Sequence, residues 1–456
     1  MRLDFSKVPL KNRAFSERPM TFIDQEAKNY LAAVIDLVAI ETGNRDARED
    51  WQRKQLQNLL RHAAQHSAFW RERIGSQKVK DISLSDLPIL TRTEVVKQVE
   101  TEGSLLPAGT IGTERLATSG SSGTPAQFYV SRMNAEYNSV RAAAQYFIEG
   151  RDLTPNRTRV YRAPKPIKDG FSVKKPGNSL GPLSLLFKCG ESKDILQLHP
   201  NRDLLFKELA KDPIGYLVTQ PSFVEALFYD TDVSFLSENG TKMFIPLDEE
   251  ADQGLRDKFA AARIPVRAVY SSQEVGYIGA ECTECPGAFH IAQSNVIVEI
   301  DDGDSVTVGG NRLGRVLVTH LHSYATPFVR YDIGDLGTLS STCKCGHDGP
   351  VLTNIYGRKK RLLRRADGSV TPFSVTASNI LAIVKCEEYF IRQTGLSTIE
   401  VAIGGVSQLS ANQIAALEDL FKERAGDEFH VRISAVQNIN WGRDMKKLGF
   451  RSEVMI

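Results

Sequence analysis

Six short stretches of the chain combine residue types and spacings that can do chemistry. The first is Thr118-Ser119-Gly120-Ser121-Ser122-Gly123-Thr124-Pro125. Glycines let backbone N–H groups turn toward an anion, and hydroxyls add donors without bulk. Such a loop before a helix can cradle phosphates. No Gly-Lys-Ser/Thr follows, so it is not a Walker A loop. The second is Tyr270-Ser271-Ser272-Gln273-Glu274, directly after the apolar run VRAVY. That placement predicts the C-terminal end of a strand, where α/β sheets usually bind ligands. The third is Arg330-Tyr331-Asp332-Ile333-Gly334-Asp335. A carboxylate in a tight Gly turn can accept hydrogen bonds from two ribose hydroxyls; an ordinary Asp-Gly turn is the competing reading.

The fourth stretch is basic, Gly357-Arg358-Lys359-Lys360-Arg361 with Arg364 and Arg365 behind it. Alone, it reads as a solvated basic face or a localisation tract. The fifth is Asp444-Met445-Lys446-Lys447-Leu448-Gly449-Phe450-Arg451, where an exposed lysine is usually solvated. The sixth is a pair of cysteine pairs, Cys282/Cys285 and Cys343/Cys345, among six cysteines that also include Cys189 and Cys386. Six in this length is no disulfide scaffold. Tight pairs in a cytosolic chain point to metal before disulfide. Zinc takes four such ligands at about 2.3 Å in a tetrahedron. Here His290 or His347 can replace one thiol, and free thiols without metal are the competing reading.

These residues need elements to hold them. The chain has 456 residues, 41% hydrophobic and 25% charged, near the globular average. That length allows two to four domains. Lys+Arg 57 against Asp+Glu 55 leaves a charge of +2, too little for a general nucleic-acid binder. No apolar run reaches the 18 or more residues of a membrane helix. The N-terminus MRLDFSKVPLKN shows no secretory h-region, so the expected location is the cytoplasm.

Apolar spacing of three and four predicts helix over 25–75. Ser85 and Thr91 are expected helix starts, each followed by a carboxylate. A further helix is expected over 133–150, closed by Gly150. From about 158 to 345, RVYRA, YLVTQ, KMFIP and VRAVY read as strands. DLLFKELA, SFVEALFY and GLRDKFAAA read as helices between them, which argues buried parallel strands. After 288 the rhythm changes to period two with Gly/Asp turns, as in an antiparallel sheet. A boundary is expected at 357–361. Beyond it lie a helix at 376–386, the strand STIEVAI, a helix at 411–424 and the strand HVRISAV.

TSGSSGTP, the Tyr270–Glu274 stretch, the Arg330–Asp335 stretch, the basic junction and the terminal lysines, in that order, resemble the motifs of the adenylate-forming superfamily, the acyl-CoA synthetases and their relatives. Ala126 stands where many members carry a Lys, as is common in the phenylacetate–coenzyme A ligase branch. HSAFWRERI, SLSDLPILTRTEV and GAFHIAQSNVIVEI resemble that branch too, and RRADGSVTPFSV resembles its capsule-biosynthesis relatives. The likeness runs through nearly the whole chain.

The resemblance implies an α/β fold in two parts. Residues 1–359 would form a large ATP- and acid-binding domain of α/β layers plus an antiparallel sheet, helical over about 1–105. Residues 360–456 would form a small mobile α+β domain. Thr118, Ser119, Gly120, Ser121, Ser122, Gly123 and Thr124 would hold phosphates. Tyr270 would lie near adenine, Ser272 near the phosphate and Glu274 on Mg²⁺, with Ser271 among the nucleotide-binding residues. Asp335 would bind ribose and Arg358 would contact the nucleotide. Lys360 would be the hinge. Lys446 would reach the α-phosphate, with Lys447 the neighbouring register. One stretch departs: Pro246-Leu247-Asp248-Glu249 stands where many relatives carry a Gly-Glu pair that packs on adenine.

The implied activity is an ATP- and Mg²⁺-dependent carboxylate–CoA ligase. It would activate a small to medium, aromatic acid as acyl-AMP with release of pyrophosphate, then form the CoA thioester. Two other readings stay open. One is an adenylating enzyme that passes the acyl group to an amine or a carrier-protein thiol. The other is a non-catalytic nucleotide-binding relative. Structural zinc on Cys282, Cys285, Cys343 and Cys345 completes the expectation. Neither nucleic acid nor membrane is an expected partner, and a homodimer is left open.

Overall fold

The computed structural model describes residues 25–101, 113–117, 126–163, 167, 170–197, 202–228, 231–308, 310–356, 362–373, 375–386, 388–439 and 449–454. The first part is helical, as expected: Gln25–Thr42, Arg45–His66, Ala68–Ile74 and Arg92–Thr101. The caps explain the breaks. The Asn44 side chain accepts from the Asp46 N–H at 2.9 Å and opens the second helix. Ser67 accepts from Trp70 N–H at 3.3 Å and opens the third. Each cap satisfies a donor that the first turn leaves unpaired. Leu56, Leu59, Leu60, Ala63 and Trp70 form one buried face of these helices. Thr91 opens the fourth helix as expected. Ser85 does not start one; Ser83 instead caps the short 3₁₀ turn Leu84–Asp86.

The helix Arg132–Ile148 starts on Ser131 and is followed by Gly150 at φ 64°. A five-stranded sheet comes next, in the order Phe171–Asn178, Glu191–Gln197, Arg157–Arg162, Gly215–Thr219, Thr241–Pro246. All neighbours are parallel except the first pair. Successive side chains on a strand face opposite sides. Leu217 and Phe244 therefore join the helices Arg202–Leu209, Pro221–Leu227 and Gln253–Ala261. Tyr216, Met243 and Ile245 face Val34, Leu37 and Ala144 of the first and fifth helices.

The second sheet has seven strands, all antiparallel: Val296–Val308, Asn311–His320, Tyr331–Ser340, Val351–Tyr356, Phe289–Ile291, Gly276–Glu281, Val269–Ser272. Its core face receives the N-terminal helices. The expected strand VRAVY divides between the sheets. Val266 makes a single bridge to Phe244 of the parallel sheet. From Val269 the backbone pairs instead with Gly276–Glu281. Tyr270–Glu274 therefore sits on an antiparallel hairpin, not at the end of a parallel strand.

The C-terminal part pairs four strands in the order His430–Val436, Thr398–Gly404, Glu388–Gly395, Phe450–Ser452, with helices Ala377–Ile383 and Ala411–Ala425. Ile391, Ile399, Val401, Leu417 and Phe421 fill its own core. The expected boundary at 357–361 lies outside the described residues.

Candidate active site

The hairpin, one strand start and one helix start converge. Ser272 Oγ accepts from Val275 N–H at 3.2 Å, and Gly276 at φ 68° completes the turn. This turn sets Glu274 with a side chain only 10% exposed. Glu274 Oε1 accepts from Arg92 Nη1 at 3.2 Å and from the Tyr331 hydroxyl at 3.1 Å. Its other oxygen, Oε2, takes no hydrogen bond from a described residue.

The backbone explains how Arg92 arrives there. Leu90 N–H donates to Arg330 O at 3.0 Å, and Asp332 N–H donates to Leu90 O at 2.9 Å. The segment before the fourth helix is thereby stitched onto the start of strand Tyr331–Ser340. Arg330, at φ 51°, donates to Leu87 O at 2.6 Å and pairs with Glu299 at 3.2 Å. Thr91 and Glu94 close a reciprocal cap: Thr91 N–H donates to Glu94 Oε2 at 2.8 Å and Glu94 N–H to Thr91 Oγ1 at 3.3 Å. The first helical residue after that cap is Arg92.

At the neighbouring strand position the Tyr270 hydroxyl donates to Asp335 Oδ2 at 2.7 Å. Asp335 follows a turn in which Gly334, at φ 87°, donates to Asp332 Oδ1 at 2.8 Å. Burial, then the Asp335 carboxylate, push the Tyr270 hydroxyl well above its ordinary range. Burial and Glu274 do the same to Tyr331. Both phenols are therefore neutral donors at any physiological pH. Ser271 is exposed beside them. The Pro246–Glu249 departure is ordered: Leu247 N–H donates to Thr219 O at 2.9 Å, Asp248 adopts φ 62°, and Glu249 accepts from Ser222 N–H at 2.9 Å.

Tyr270, Ser272, Glu274 and Asp335 thus share one sheet region. Thr118, Ser119, Gly120, Ser121, Ser122, Gly123, Thr124, Arg358, Lys360, Lys446 and Lys447 lie outside the described residues. Two members of the arrangement had no assigned role in the sequence. Tyr331 sat inside the Arg330–Asp335 stretch. Arg92 carried one signal, its place immediately after the Thr91 cap.

The cysteines form a second cluster, at the far ends of the same strands. Cys282, His290, Cys343 and Cys345 place their ligand atoms within 4.8 Å of one another. Cys285 hydrogen-bonds with Cys282 and Cys343 at the edge of this group, but its sulfur is not among the four atoms that lie mutually within 4.8 Å. The fourth atom of the group comes from His290, one of the two histidines expected as a possible replacement for a thiol. Burial, then His347, lower the His290 imidazole to about 4, so it is neutral, and its Nε2 lies in hydrogen-bond contact with Cys345 Sγ at 3.4 Å.

No family model matches the chain, and no curated protein matches it in sequence. Solved structures do match in fold. The chain is similar to 2-hydroxyisobutyryl-CoA ligase in its postadenylation state with 2-HIB-AMP: 18% identity, 91% of each chain covered, TM-score 0.65. The same ligase in its thioesterification state, with 2-HIB-AMP and CoA, matches at TM-score 0.57 and 18% identity over 91% of this chain and 92% of that one. The acyl acid amido synthetase GH3.15 matches at TM-score 0.53 and 12% identity, over 91% and 90%. The chain shares the fold of these structures. No helix among the described residues is long and apolar enough to cross a membrane.

Proposed function

From a fold shared with an acyl-CoA ligase and an acyl acid amido synthetase, we propose that this chain is an ATP-dependent carboxylate–CoA ligase. It activates a small to medium acid as acyl-AMP, releases pyrophosphate, and transfers the acyl group to CoA. The observation that carries this reading is the convergence of Tyr270, Glu274, Tyr331 and Asp335. Each of the two carboxylates, Glu274 and Asp335, accepts from a neutral phenol carried by the other's segment. An aromatic acid is the expected substrate class by likeness to the phenylacetate–coenzyme A ligases.

In this reading Asp335 takes the ribose hydroxyls and Tyr270 flanks the adenine. The loop Thr118–Thr124 receives the phosphates on backbone N–H groups. Glu274 is the magnesium carboxylate, and its arrangement suits that task. Arg92 and Tyr331 hold Oε1, which leaves Oε2 without a hydrogen bond from a described residue and so the oxygen a hard cation would take. Bound magnesium would offset phosphate charge. Lys446 would place an ammonium against charge growing at the α-phosphorus. Catalysis is then positioning plus charge neutralisation. Arg358 would contact the nucleotide, and Lys360 would be the hinge on which the small domain reorients. The basic residues around them would meet the phosphates of CoA.

A second reading, transfer to an amine, is favoured by the match to GH3.15. A panel of carboxylic acids scored for pyrophosphate release, with and without CoA, separates the two. CoA consumed in step with pyrophosphate supports the ligase, and acid-dependent pyrophosphate release without CoA consumption supports the alternative. Glu274→Gln keeps the shape and removes the charge. Adenylation should fall about 10²-fold or more. Near-wild-type pyrophosphate release in that variant would remove Glu274 from the mechanism.

A further inference from the structure

The cysteine cluster has a geometry that the proposed ligase reaction does not use. Two thiolates bound to one zinc at about 2.3 Å stand about 3.8 Å apart at a tetrahedral angle. Cys282 Sγ and Cys343 Sγ are 3.8 Å apart. A thiolate and an imidazole nitrogen on one zinc stand about 3.5 Å apart by the same geometry. Cys345 Sγ and His290 Nε2 are 3.4 Å apart. Two edges of the cluster therefore already have tetrahedral lengths.

Backbone donors are directed at the sulfurs. Glu284 N–H points at Cys282 Sγ at 3.4 Å. Backbone groups of Cys345 and His347 do the same for the thiols of Cys343 and Cys345. In each case the group comes from two residues further along the chain. Positive φ at Gly287 and Gly346 shapes the two turns. Three such sulfurs within 4.8 Å would repel as thiolates unless a cation lay among them.

The fourth ligand is set by stacking. His347 lies flat on His290, ring centroids 4.1 Å apart. A side chain at Gly349 would come within 2.7 Å of His347 Nε2, so the stack needs glycine there. The second turn is itself clamped from outside. Arg45 donates to Ser341 O at 2.9 Å, and Arg48 donates to Asp348 O.

We propose that Cys282, His290, Cys343 and Cys345 bind one structural zinc ion, with Cys285 a free thiol beside it. The metal ties the end of strand Gly276–Glu281 to the end of strand Tyr331–Ser340. Those strands belong to the sheet that also holds Tyr270 and Asp335. The ion closes a long loop between the two turns, and it stabilises the fold by its binding free energy.

The test is metal content of the full chain purified without added metal, before and after substitution. Wild type should carry about one zinc per chain. Cys285→Ser should retain it. His290→Ala and Cys343→Ser should each lose at least nine-tenths of it. Because those two variants risk misfolding, the wild-type protein is also exchanged with Co²⁺. Tetrahedral cobalt with intense thiolate charge-transfer bands supports the site, and octahedral, weakly coloured cobalt overturns it. Retention of zinc in His290→Ala with loss in Cys285→Ser overturns the ligand set. Metal-free protein with four readily titrated native thiols overturns the site altogether. None of these readouts depends on ligase activity, so the proposed reaction and the metal site stand or fall separately.

Discussion

A carboxylate serves a magnesium–phosphate centre best when one oxygen is held and the other is open. In the proposed role Glu274 meets the first condition, because Arg92 and Tyr331 both bind Oε1, and Oε2 takes no hydrogen bond from a described residue. Arg92 could act in two opposed ways. As a cation it repels magnesium; as a fork of donors it fixes the carboxylate's angle. The orientation effect should win, since the pair is largely shielded from solvent and the guanidinium approaches the oxygen the metal would not use. Arg92→Ala should lower kcat for pyrophosphate release at least 10-fold at saturating magnesium, and Arg92→Lys should restore most of it. Unchanged kcat with tighter apparent magnesium binding would make Arg92 a competitor of the metal instead. Tyr270, Glu274 and Asp335 were singled out in the sequence, and the structure brings them into one hydrogen-bonded region. Arg92 was not, because it meets Glu274 across 182 residues and arginine on a helix is ordinarily solvated.

The element that delivers Arg92 is the helix Arg92–Thr101, and its start is built from Thr91 and Glu94. Both groups of this cap are satisfied, and Glu94 also takes Arg73 at 2.8 Å. Thr91→Ala leaves the first-turn donors to water. It should cost about 1 kcal/mol. The melting temperature should then drop by roughly 1 °C in a chain of 456 residues. Because Arg92 is the next residue, the magnesium concentration for half-maximal activity should rise as well. A lower melting temperature with unaltered magnesium dependence would confine the cap to stability. Helix positions were largely legible, since apolar periodicity and caps are local. The hairpin was not. VRAVY reads as a buried parallel strand, yet the neighbouring edge pairs with Val266 alone and the next residues fold back on Gly276–Glu281. Strand partners depend on distant segments, which periodicity does not report.

At the scale of the molecule, the α/β alternation and the later antiparallel rhythm were both readable. The packing of the C-terminal part against the rest was not. The helix Ala377–Ile383 lies against Pro221–Leu227. Near this seam Tyr389 sits in the negative field of Glu225, Glu249 and Asp252, with Cys386 close by. Burial, then Asp252 and Glu249, raise Glu225 well above the ordinary carboxylate value, and Lys258 offsets this only in part. The sign follows from linkage. A carboxyl with a raised folded-state value binds its proton more tightly when folded. Its contribution is fully present below its unfolded value of about 4.3 and is lost as pH rises through the folded value. Glu225→Gln keeps the shape and removes the charge. The variant should melt at a higher temperature than wild type at pH 8. The gap should close as the pH approaches 4, where Glu225 is protonated in both states. Glu249 and Asp252 should hold their own partners in both proteins, since Glu249 accepts from Ser222 and Asp252 caps Gln253–Ala261. Melting curves of the two proteins between pH 4 and 8 decide it. A constant offset across that range would mean that Glu225 does not change charge at the seam, and that the C-terminal part docks without a proton.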